Sequence, residues 1–249
     1  MKIITWNCNQ ALRKKFSLLE KFNADIIVCQ ESEKLANNFF ENYHYQWIGK
    51  NSNKGIGILT KKYPCSISKN FNEKFIYYLP LNFHNFNILN VWTHTKADKF
   101  GADANGNIID ALDYYNDWIT TKKKAIIIGD FNNSMVFDEK YNWAPKFVDI
   151  KAYLYKLGFK SSYHSFFNEE FGKEKTPTLF HQKNLTKPFH IDYAFIKGFW
   201  VKSVEVGKPD EWLAASDHMP ILIEIYSVMF IIKWVLIILI VLAAFLIII

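Results

Sequence analysis

One apolar run of this sequence ends in a carboxylate and a carboxamide that together could do chemistry. The run at residues 125–128 stops at Gly129, and Asp130 and Asn132 follow the glycine. A short β-branched run that ends at a glycine indicates a buried strand followed by a turn. Such a pair of side chains can hold a water, a metal ion or a phosphate oxygen. Asp and Asn are also ordinary turn residues, so the pair needs partners from elsewhere in the chain.

Similar polar side chains follow the other apolar runs. In chain order they are Asn7, Asn9, Glu31, His94, Asp192, Asp217 and His218. If these strand ends converge on one rim, carboxylates, amides and two imidazoles meet there. Hydrolysis of a phosphoester needs such a set: an acceptor that orients the attacking water, a carboxylate that fixes an imidazole, and donors or a metal ion for the charge that develops on phosphorus.

The donor atoms favour a hard cation. Glu31 with Asp217 or Asn9 offers oxygen ligands, which Mg²⁺ prefers. Zinc chemistry is less favoured, because the histidines are not at paired helical spacing and the sequence has no cysteine cluster. The sequence therefore predicts an oxygen-ligated metal site near the end of the second apolar run.

The elements that must position these residues alternate between strands and helices. Short apolar runs predict strands at residues 2–6, 25–29, 45–48, 55–60, 65–68, 75–81, 86–93, 125–128, 189–196, 201–206 and 221–226. Helical periodicity predicts helices at residues 11–22, 35–40, 108–119 and 147–157, with residues 163–180 less regular. Gly, Asn and Pro between many of the strands indicate antiparallel neighbours. We predict one α/β domain, a sandwich of two sheets with outer helices.

Composition narrows the class of protein and the partners. Half of the 249 residues are apolar and 17% are aromatic, so a large core is available. The net charge of +6 suits a polyanion such as nucleic acid, or an anionic membrane face. The odd set Cys8, Cys29 and Cys65 contains no CxxC pair and indicates reduced, mostly buried thiols in a cytosolic protein rather than a disulfide framework. No signal peptide precedes the first strand.

The polar strand ends, taken in order, resemble the motifs of the endonuclease/exonuclease/phosphatase superfamily, whose members resemble DNase I and exonuclease III-type enzymes. The matching pieces are Thr5-Trp6-Asn7, Gln30-Glu31, Thr93-His94, Gly129-Asp130-Phe131-Asn132, Ile191-Asp192-Tyr193 and Ser216-Asp217-His218. The resemblance implies a DNase I-like four-layer α/β sandwich, in which two mostly antiparallel sheets pack face to face between helices. That agrees with the sandwich predicted from the strands alone.

The same resemblance implies which residues handle the metal and the water. Glu31 would ligate a catalytic Mg²⁺ ion, with Asn9 and Asp217 near it, and Mn²⁺ could replace Mg²⁺. Asp130 would orient or deprotonate the attacking water.

It also implies how the phosphate is held. Asn132 and Asn7 would hold the phosphate and the network around the metal. His218 would contact the scissile phosphate, as base or as charge stabiliser, with Asp192 orienting its ring. His94 would lie on the leaving-group side, where the exonuclease III-like apurinic nucleases have a tyrosine.

The C-terminal residues differ in kind from the rest. Residues 228–249 are apolar except for Lys233, and as a helix they would span about 30 Å, enough for a bilayer. Lys233 and Trp234 lie near the start of this stretch, where they suit the membrane interface. We predict a catalytic domain at residues 1–227 in the cytoplasm and a single-pass transmembrane helix at residues 228–249.

Three functions fit this sequence. The first is a Mg²⁺-dependent phosphodiesterase of the endonuclease or exonuclease type that acts on nucleic acid, for which no obligate protein partner is inferred. The second is a membrane-associated lipid phosphodiesterase or phosphatase, similar to sphingomyelinases or phosphoinositide phosphatases, which the apolar tail and His94 favour. The third is a membrane-tethered binding module without activity, which would be expected to lack a metal ligand or His218, and neither is lost.

Overall fold

The structure, a computed structural model, describes residues 1–93, 108–141 and 144–227. In this part of the chain two six-stranded sheets carry the fold, and both are mostly antiparallel. His94 and the transmembrane helix predicted at residues 228–249 lie outside the described residues. Among the described residues, no helix combines the length and the apolar character needed to cross a bilayer.

The first sheet brings the ends of two parallel strands to one rim. Its strands, in spatial order, are β13 (Phe199–Val206), β14 (Ile221–Ser227), β1 (Lys2–Asn7), β2 (Ile26–Ser32), β4 (Lys54–Thr60) and β3 (His44–Asn51). β1 and β2 are parallel, and Asn7 lies opposite Gln30. β14 runs antiparallel to β1, with Ile221 opposite Thr5, so the segment that enters β14 reaches the same rim.

The second sheet is arranged in the same way around another parallel pair. Its strands, in spatial order, are β5 (Cys65–Ile67), β6 (Tyr78–Phe83), β7 (Asn87–Trp92), β8 (Ala125–Asp130), β12 (Asp192–Lys197) and β9 (Lys160–Ser161). β7 and β8 are parallel. β12 is antiparallel to β8 and places Asp192 directly opposite Asp130. A small ribbon of β10 (Leu179–Phe180) and β11 (Pro188–Phe189) lies beside this rim, where Leu179 pairs with His218.

Helices complete the sandwich. They are α1 (Leu12–Glu20), α2 (Ile108–Thr120), α3 (Met135–Lys140), α4 (Phe147–Lys156), α5 (Ser162–Phe167) and α6 (Pro209–Trp212).

Both faces of β8 are apolar because each face packs into a different core. Ile126 and Ile128 join the core that contains β1 and β2, whereas Ile127 joins the core formed with α2 and α4. Successive strand residues point to opposite faces, so the continuous apolar run of this strand serves both cores.

Buried amides join the two sheets near the rim. Gln30 of the first sheet donates its side-chain amide to Asn90 Oδ1 of the second at 2.9 Å. Asn90 donates in turn to the backbone carbonyl of Gly57 at 3.0 Å. These side chains are fully buried, and their mutual hydrogen bonds offset the cost of removing them from water.

The predicted helix at residues 35–40 is wrong, because this segment forms turns. Asn37 accepts a hydrogen bond from the backbone of Tyr45, and Phe39 closes a turn onto Ala36. Phe40 is buried and packs on Phe16 with ring centroids 4.1 Å apart. The apolar spacing that predicted a helix therefore reflects core contacts made from turns.

Helix α5 lies in the segment that was predicted to be irregular. Its aromatic residues have low helix propensity, so the sequence gives a weak local signal. Tertiary contacts stabilise it: His164 Nδ1 lies 2.7 Å from Ser161 Oγ, and His164 Nε2 lies 3.0 Å from Glu174 Oε1.

A smaller error concerns the strand predicted at residues 75–81. It begins as a short 3₁₀ helix, Glu73–Phe75, and β6 starts only at Tyr78.

The cysteines are free thiols, as predicted. Cys8 and Cys29 are buried, and Cys65 is half-buried. Burial raises the pKa of Cys65 to about 11, so its thiol is protonated at neutral pH.

Gly129 is required where β8 pairs with β7 of its own sheet and Gln30 of the other sheet approaches it. Its φ is +141°, and a Cβ there would lie 2.0 Å from the carbonyl oxygen of Val91 and 2.9 Å from Gln30 Nε2. We expect Gly129→Ala to lower the free energy of unfolding by about 3 kcal/mol or more, because backbone strain adds to overpacking. Urea unfolding measures the loss.

Gly158→Ala is the matched control for this substitution. Gly158 also has positive φ, +86°, but the nearest atom to an added Cβ is Lys197 Cε at 3.5 Å. Its loss should be about 1 kcal/mol, from backbone strain alone. Equal losses at the two glycines would show that the close approach at Gly129 does not limit the fold.

Candidate active site

The strand ends bring four of the predicted site residues together in a buried cluster. Asn7 ends β1, Asp130 ends β8 and Asp192 begins β12, while His218 precedes β14. All of them are buried, and Asp130 is fully inaccessible to solvent. Polar side chains buried in this way need partners within the protein, and the cluster supplies them.

Asp130 is held by the turn that follows it and by Asn7. Its Oδ1 accepts the backbone N–H of Asn132 at 2.8 Å. Its Oδ2 accepts the side-chain amides of Asn7 at 2.9 Å and of Asn132 at 3.1 Å. Asn132 adopts φ +46°, a left-handed conformation that Asn tolerates, and this lets the turn wrap around its own carboxylate. Burial, and then the negative charge of Asp192, raise the pKa of Asp130 above its ordinary value.

His218 lies between two carboxylates. Its Nδ1 is 3.0 Å from Asp192 Oδ2, and its Nε2 is 3.9 Å from Asp130 Oδ2. Burial lowers the pKa of His218, but the carboxylates of Asp192 and Asp130 raise it by more, so it lies well above the ordinary value. Because an ionised carboxylate only accepts, Nδ1 donates its proton to Asp192. The ring is therefore an imidazolium, with Nε2 directed toward Asp130.

The backbone around His218 is also fixed. The carbonyl of His218 accepts the indole N–H of Trp6 at 2.8 Å, and its N–H donates to Ser216 Oγ at 3.1 Å. Ser216 donates to the carbonyl of Asn7 at 2.8 Å. The histidine is thus tied to the end of β1, which positions its ring beside Asp130.

Glu31 lies at the open side of the cluster. Its Oε1 accepts from Asn7 Nδ2 at 3.3 Å, and its Oε2 lies 3.0 Å from Lys54 Nζ. Lys54 also lies over the ring of Trp92, 5.1 Å from the centroid. The side chain of Glu31 is 17% exposed, so a cation from solvent can reach it.

The other two predicted metal ligands flank this position through their backbone. The N–H of Asn9 donates to Asn7 Oδ1 at 3.1 Å, and the carbonyl of Asp217 accepts from Phe180 at 2.8 Å. Asn9 is exposed and Asp217 is half-buried. The structure therefore brings Glu31 into contact with the cluster through Asn7 and places Asn9 and Asp217 next in sequence to two of its members.

Two positions offer ligands for a metal ion. Within residues 1–93, 108–141 and 144–227, the one group of three close ligand atoms belongs to Asp130, Asp192 and His218, all within 4.8 Å of one another. There the imidazole nitrogens already face carboxylates, which favours a hydrogen-bonded relay. Glu31 offers hard oxygen atoms, and a cationic group, Lys54, already lies against them. The carboxylate oxygens of Glu31 are therefore of the kind that a hard cation such as Mg²⁺ prefers.

Two further residues at this site carry no signal in the sequence. Thr178 Oγ1 accepts the backbone N–H groups of Ile191 and Asp192 at 3.0 and 3.1 Å, and its carbonyl accepts from Met219 at 2.7 Å. It therefore holds the segments that carry Asp192 and His218 in register. Lys54 is the other, and its role depends on how β4 packs beside β2.

His94 lies outside the described residues. Thr93, the residue before it, donates its backbone N–H to the carbonyl of Asp130 at 2.9 Å. Its hydroxyl donates to the carbonyl of Phe131. The chain thus leaves β7 beside Asp130.

Comparisons with known proteins agree with this architecture. A family model described as the Endonuclease/Exonuclease/phosphatase family matches residues 4–218. A search of curated proteins gave no significant match.

Solved structures show the same fold at low sequence identity. A 3′ phosphatase, NExo, from Neisseria bound to a product DNA hairpin has a TM-score of 0.68 and 18% identity, covering 91% of this chain and 99% of that one. The 3′-5′ exonuclease NExo from Neisseria meningitidis has a TM-score of 0.69 and 18% identity, with 90% and 99% covered. An AP endonuclease from Archaeoglobus fulgidus has a TM-score of 0.65 and 16% identity, with 90% and 98% covered.

The charge state of His218 can be measured in the metal-free protein. We expect its ring to be protonated at pH 7 in the presence of EDTA, because Asp192 and Asp130 raise its pKa above the ordinary 6.5. Since the folded-state pKa is raised, this contribution to stability is complete below about pH 6.5 and is lost as pH rises through the folded-state pKa. NMR titration of the ring protons measures the pKa.

Asp192→Asn should lower the pKa of His218, because it removes one of the two carboxylate charges that raise it. Asp149→Asn, in an exposed part of α4, should leave the pKa unchanged. A ring that is neutral at pH 6, or a pKa that is the same in Asp192→Asn, would contradict the imidazolium assignment.

Proposed function

The chain belongs to the endonuclease/exonuclease/phosphatase family and is a hydrolase of phosphoric esters; within that class, we propose that it cleaves phosphodiester bonds of nucleic acid with Mg²⁺. The observation that carries the proposal is the pair of atoms Asp130 Oδ2 and His218 Nε2, which lie 3.9 Å apart in a buried cluster. The gap exceeds a hydrogen bond, yet one oxygen atom can contact both. A water or a phosphate oxygen is the proposed occupant of that place.

Asp130 is the proposed acceptor for the attacking water. The pKa of Asp130 is raised and so lies closer to neutral pH than that of an ordinary carboxyl group, which suits a group that takes up a proton during the reaction. Asn7 and Asn132 hold the carboxylate, so the water that it binds has a fixed orientation. The oxygen of that water bonds to phosphorus, the bond from phosphorus to the leaving oxygen breaks, and Asp130 receives the water proton.

His218 is the proposed charge stabiliser. An imidazolium donates to a non-bridging phosphate oxygen, where negative charge develops during attack. Asp192 keeps the ring protonated and oriented. Asn132 and Asn7 are proposed to contact the phosphate as well, and His94 to face the leaving group, as the family resemblance implies.

Glu31 is the proposed ligand of Mg²⁺ or Mn²⁺, with Asn9 and Asp217 nearby. The bound ion would supply positive charge to the phosphate oxygens. Asn7 connects this carboxylate to Asp130, since its amide faces both. Lys54 Nζ lies 3.0 Å from Glu31 Oε2 and places a positive charge where the ion would bind.

Several features support nucleic acid as the substrate. The chain carries a net charge of +6. Lys15 donates to the carbonyls of Cys8 and Asn9 at 2.7 and 3.1 Å, and Lys183 donates to the carbonyl of Ala214 at 2.8 Å, so both lie at the rim of the site. Phosphate groups of a polynucleotide bind such lysines. Two of the similar structures are described as a 3′ phosphatase with DNA and a 3′-5′ exonuclease.

The alternative is a lipid phosphoester, and the apolar residues 228–249 favour it. We propose that these residues are a single-pass C-terminal anchor that holds residues 1–227 at the cytoplasmic face of a membrane. Anchoring raises the effective concentration of lipid head groups, but it would equally hold a nuclease at the membrane. A non-catalytic binding module remains last, because Glu31 and His218 are both present.

A parallel assay separates these functions. The full chain is given Mg²⁺ with plasmid DNA, RNA, phosphoinositides and sphingomyelin. We expect cleavage of nucleic acid, loss of activity with EDTA, and recovery with added Mg²⁺. Asp130→Ala and His218→Ala should each lower kcat/KM by about 10² or more, as removal of an acid–base group does.

Asp149→Ala changes an exposed carboxylate of α4 and serves as the control that keeps full activity. Release of lipid phosphate without cleavage of nucleic acid would overturn the nuclease proposal in favour of the lipid enzyme. No turnover on any substrate would favour the binding module.

A further inference from the structure

We propose that the end of the fold opposite the candidate active site rests on an anionic membrane surface, so that the active site faces away from the bilayer. This inference rests on the anchor proposed for residues 228–249. It goes beyond the proposed function because it states whether the substrate comes from the aqueous phase or from the bilayer. A site held in this orientation acts on phosphoesters in the aqueous phase and not on lipids of the bilayer that holds it.

Two strands lead from the active site to the opposite end. β12 begins at Asp192 and ends at Lys197, and β14 begins just after His218 and ends at Ser227. At about 3.3 Å per residue, these strands extend about 17 and 20 Å away from the site. Ser227 is paired with Phe199 at that end. The chain therefore enters residues 228–249 from the end of the sandwich that is farthest from His218.

Two large aromatic side chains are exposed at this end. Trp200 is 61% exposed and Phe166 is 43% exposed. Both line an open groove of about 610 Å³, together with Lys160 and Lys197. Trp beside Lys is the composition found where proteins meet the membrane–water interface, because the ring enters the headgroup region while the ammonium contacts the phosphates.

The same end is basic. We call it the basal face and define it by Trp200, Phe166 and the lysines at the adjacent strand ends, Lys2, Lys62, Lys123, Lys124, Lys160 and Lys197. Strand pairing places Lys124, Lys160 and Lys197 side by side. Ala125, which follows Lys124, pairs with Lys197, and Ile196 pairs with Lys160.

Two acidic groups near this face lie against lysines. Asp25 lies 3.9 Å from Lys62, and Glu224 lies 2.9 Å from Lys202. The six lysines of the basal face outnumber these two carboxylates together with the exposed Glu20 and Asp117 at the ends of α1 and α2. The cytoplasmic leaflet is anionic and attracts such a face.

Nucleic acid could also bind a basic face with exposed aromatics. Two observations favour the membrane. The face lies about 17–20 Å from the active site along the strands, so nucleic acid bound there is not in position for cleavage. It also adjoins the point where the chain enters 22 residues with a single charged side chain, Lys233.

The test uses the full chain in lipid vesicles with a fluorescent label at the basal face. Cys65→Ser removes the most accessible native thiol, since Cys8 and Cys29 are buried. Trp200→Cys then provides the labelling position. Leu185→Cys is the matched control, because Leu185 is 60% exposed. It lies five residues after Phe180, whose N–H donates to the Asp217 carbonyl at the active-site end. The vesicles contain phosphatidylcholine with or without phosphatidylserine, and a lipid-borne quencher.

We expect the label at position 200 to be quenched and blue-shifted, more strongly with phosphatidylserine and less strongly in high salt. The label at position 185 should show neither change. Lys160→Glu combined with Lys197→Glu should weaken the effect of phosphatidylserine at position 200. Lys14→Glu combined with Lys34→Glu, an equal change of charge at two exposed lysines toward the other end of the fold, should not.

Three results would overturn the proposal: a full chain that does not associate with vesicles, equal quenching at both positions, or a label at position 200 that responds to duplex DNA but not to vesicles. Hydrolysis of DNA, measured in the same samples, reports separately on the proposed function. Absence of DNA hydrolysis together with the expected quenching would contradict the nuclease proposal and leave the proposed membrane orientation supported.

Discussion

The candidate site depends on one shared amide, the side chain of Asn7. From the end of β1 it donates to Asp130 of the other sheet at 2.9 Å and faces Glu31 at 3.3 Å. A buried carboxylate without donors would be costly, so this amide allows Asp130 to lie between the sheets. Gly129, next to Asp130, is required at this place, because a side chain there would collide with the Val91 carbonyl of the same sheet and with Gln30 of the other sheet.

Charge balance explains the rest of the cluster. Two buried carboxylates, Asp130 and Asp192, lie opposite each other in neighbouring strands, and like charges at that distance repel. His218 lies between them and carries the compensating proton. Thr178 fixes the spacing, because it binds the segments of Asp192 and Met219 at once. The arrangement that stabilises the fold therefore also supplies an acceptor and a cationic donor side by side.

Much of this site could be predicted, because it is built from strand ends. Asn7, Glu31, Asp130, Asp192 and His218 each follow or precede an apolar run, and parallel pairing brings such ends to one rim. Contacts that depend on the packing of distant segments could not be read in this way. Lys54 reaches Glu31 only because β4 lies beside β2, and helix α5 is stabilised by Glu174 rather than by its own sequence. The helix predicted at residues 35–40 is wrong for a related reason, since the apolar residues of this segment contact the core from turns.

The proposed role of Asp192 is to act through His218 on a phosphoester. A double-mutant cycle on kcat/KM tests it most directly, using Asp192→Asn, His218→Ala and the double variant, with urea unfolding to confirm that each is folded. Asp192→Asn alone should lower kcat/KM by about 10² or more. In the His218→Ala background the same change should cost no more than about twofold, because the group that it positions is gone. Equal losses in both backgrounds would show that Asp192 does not act through His218.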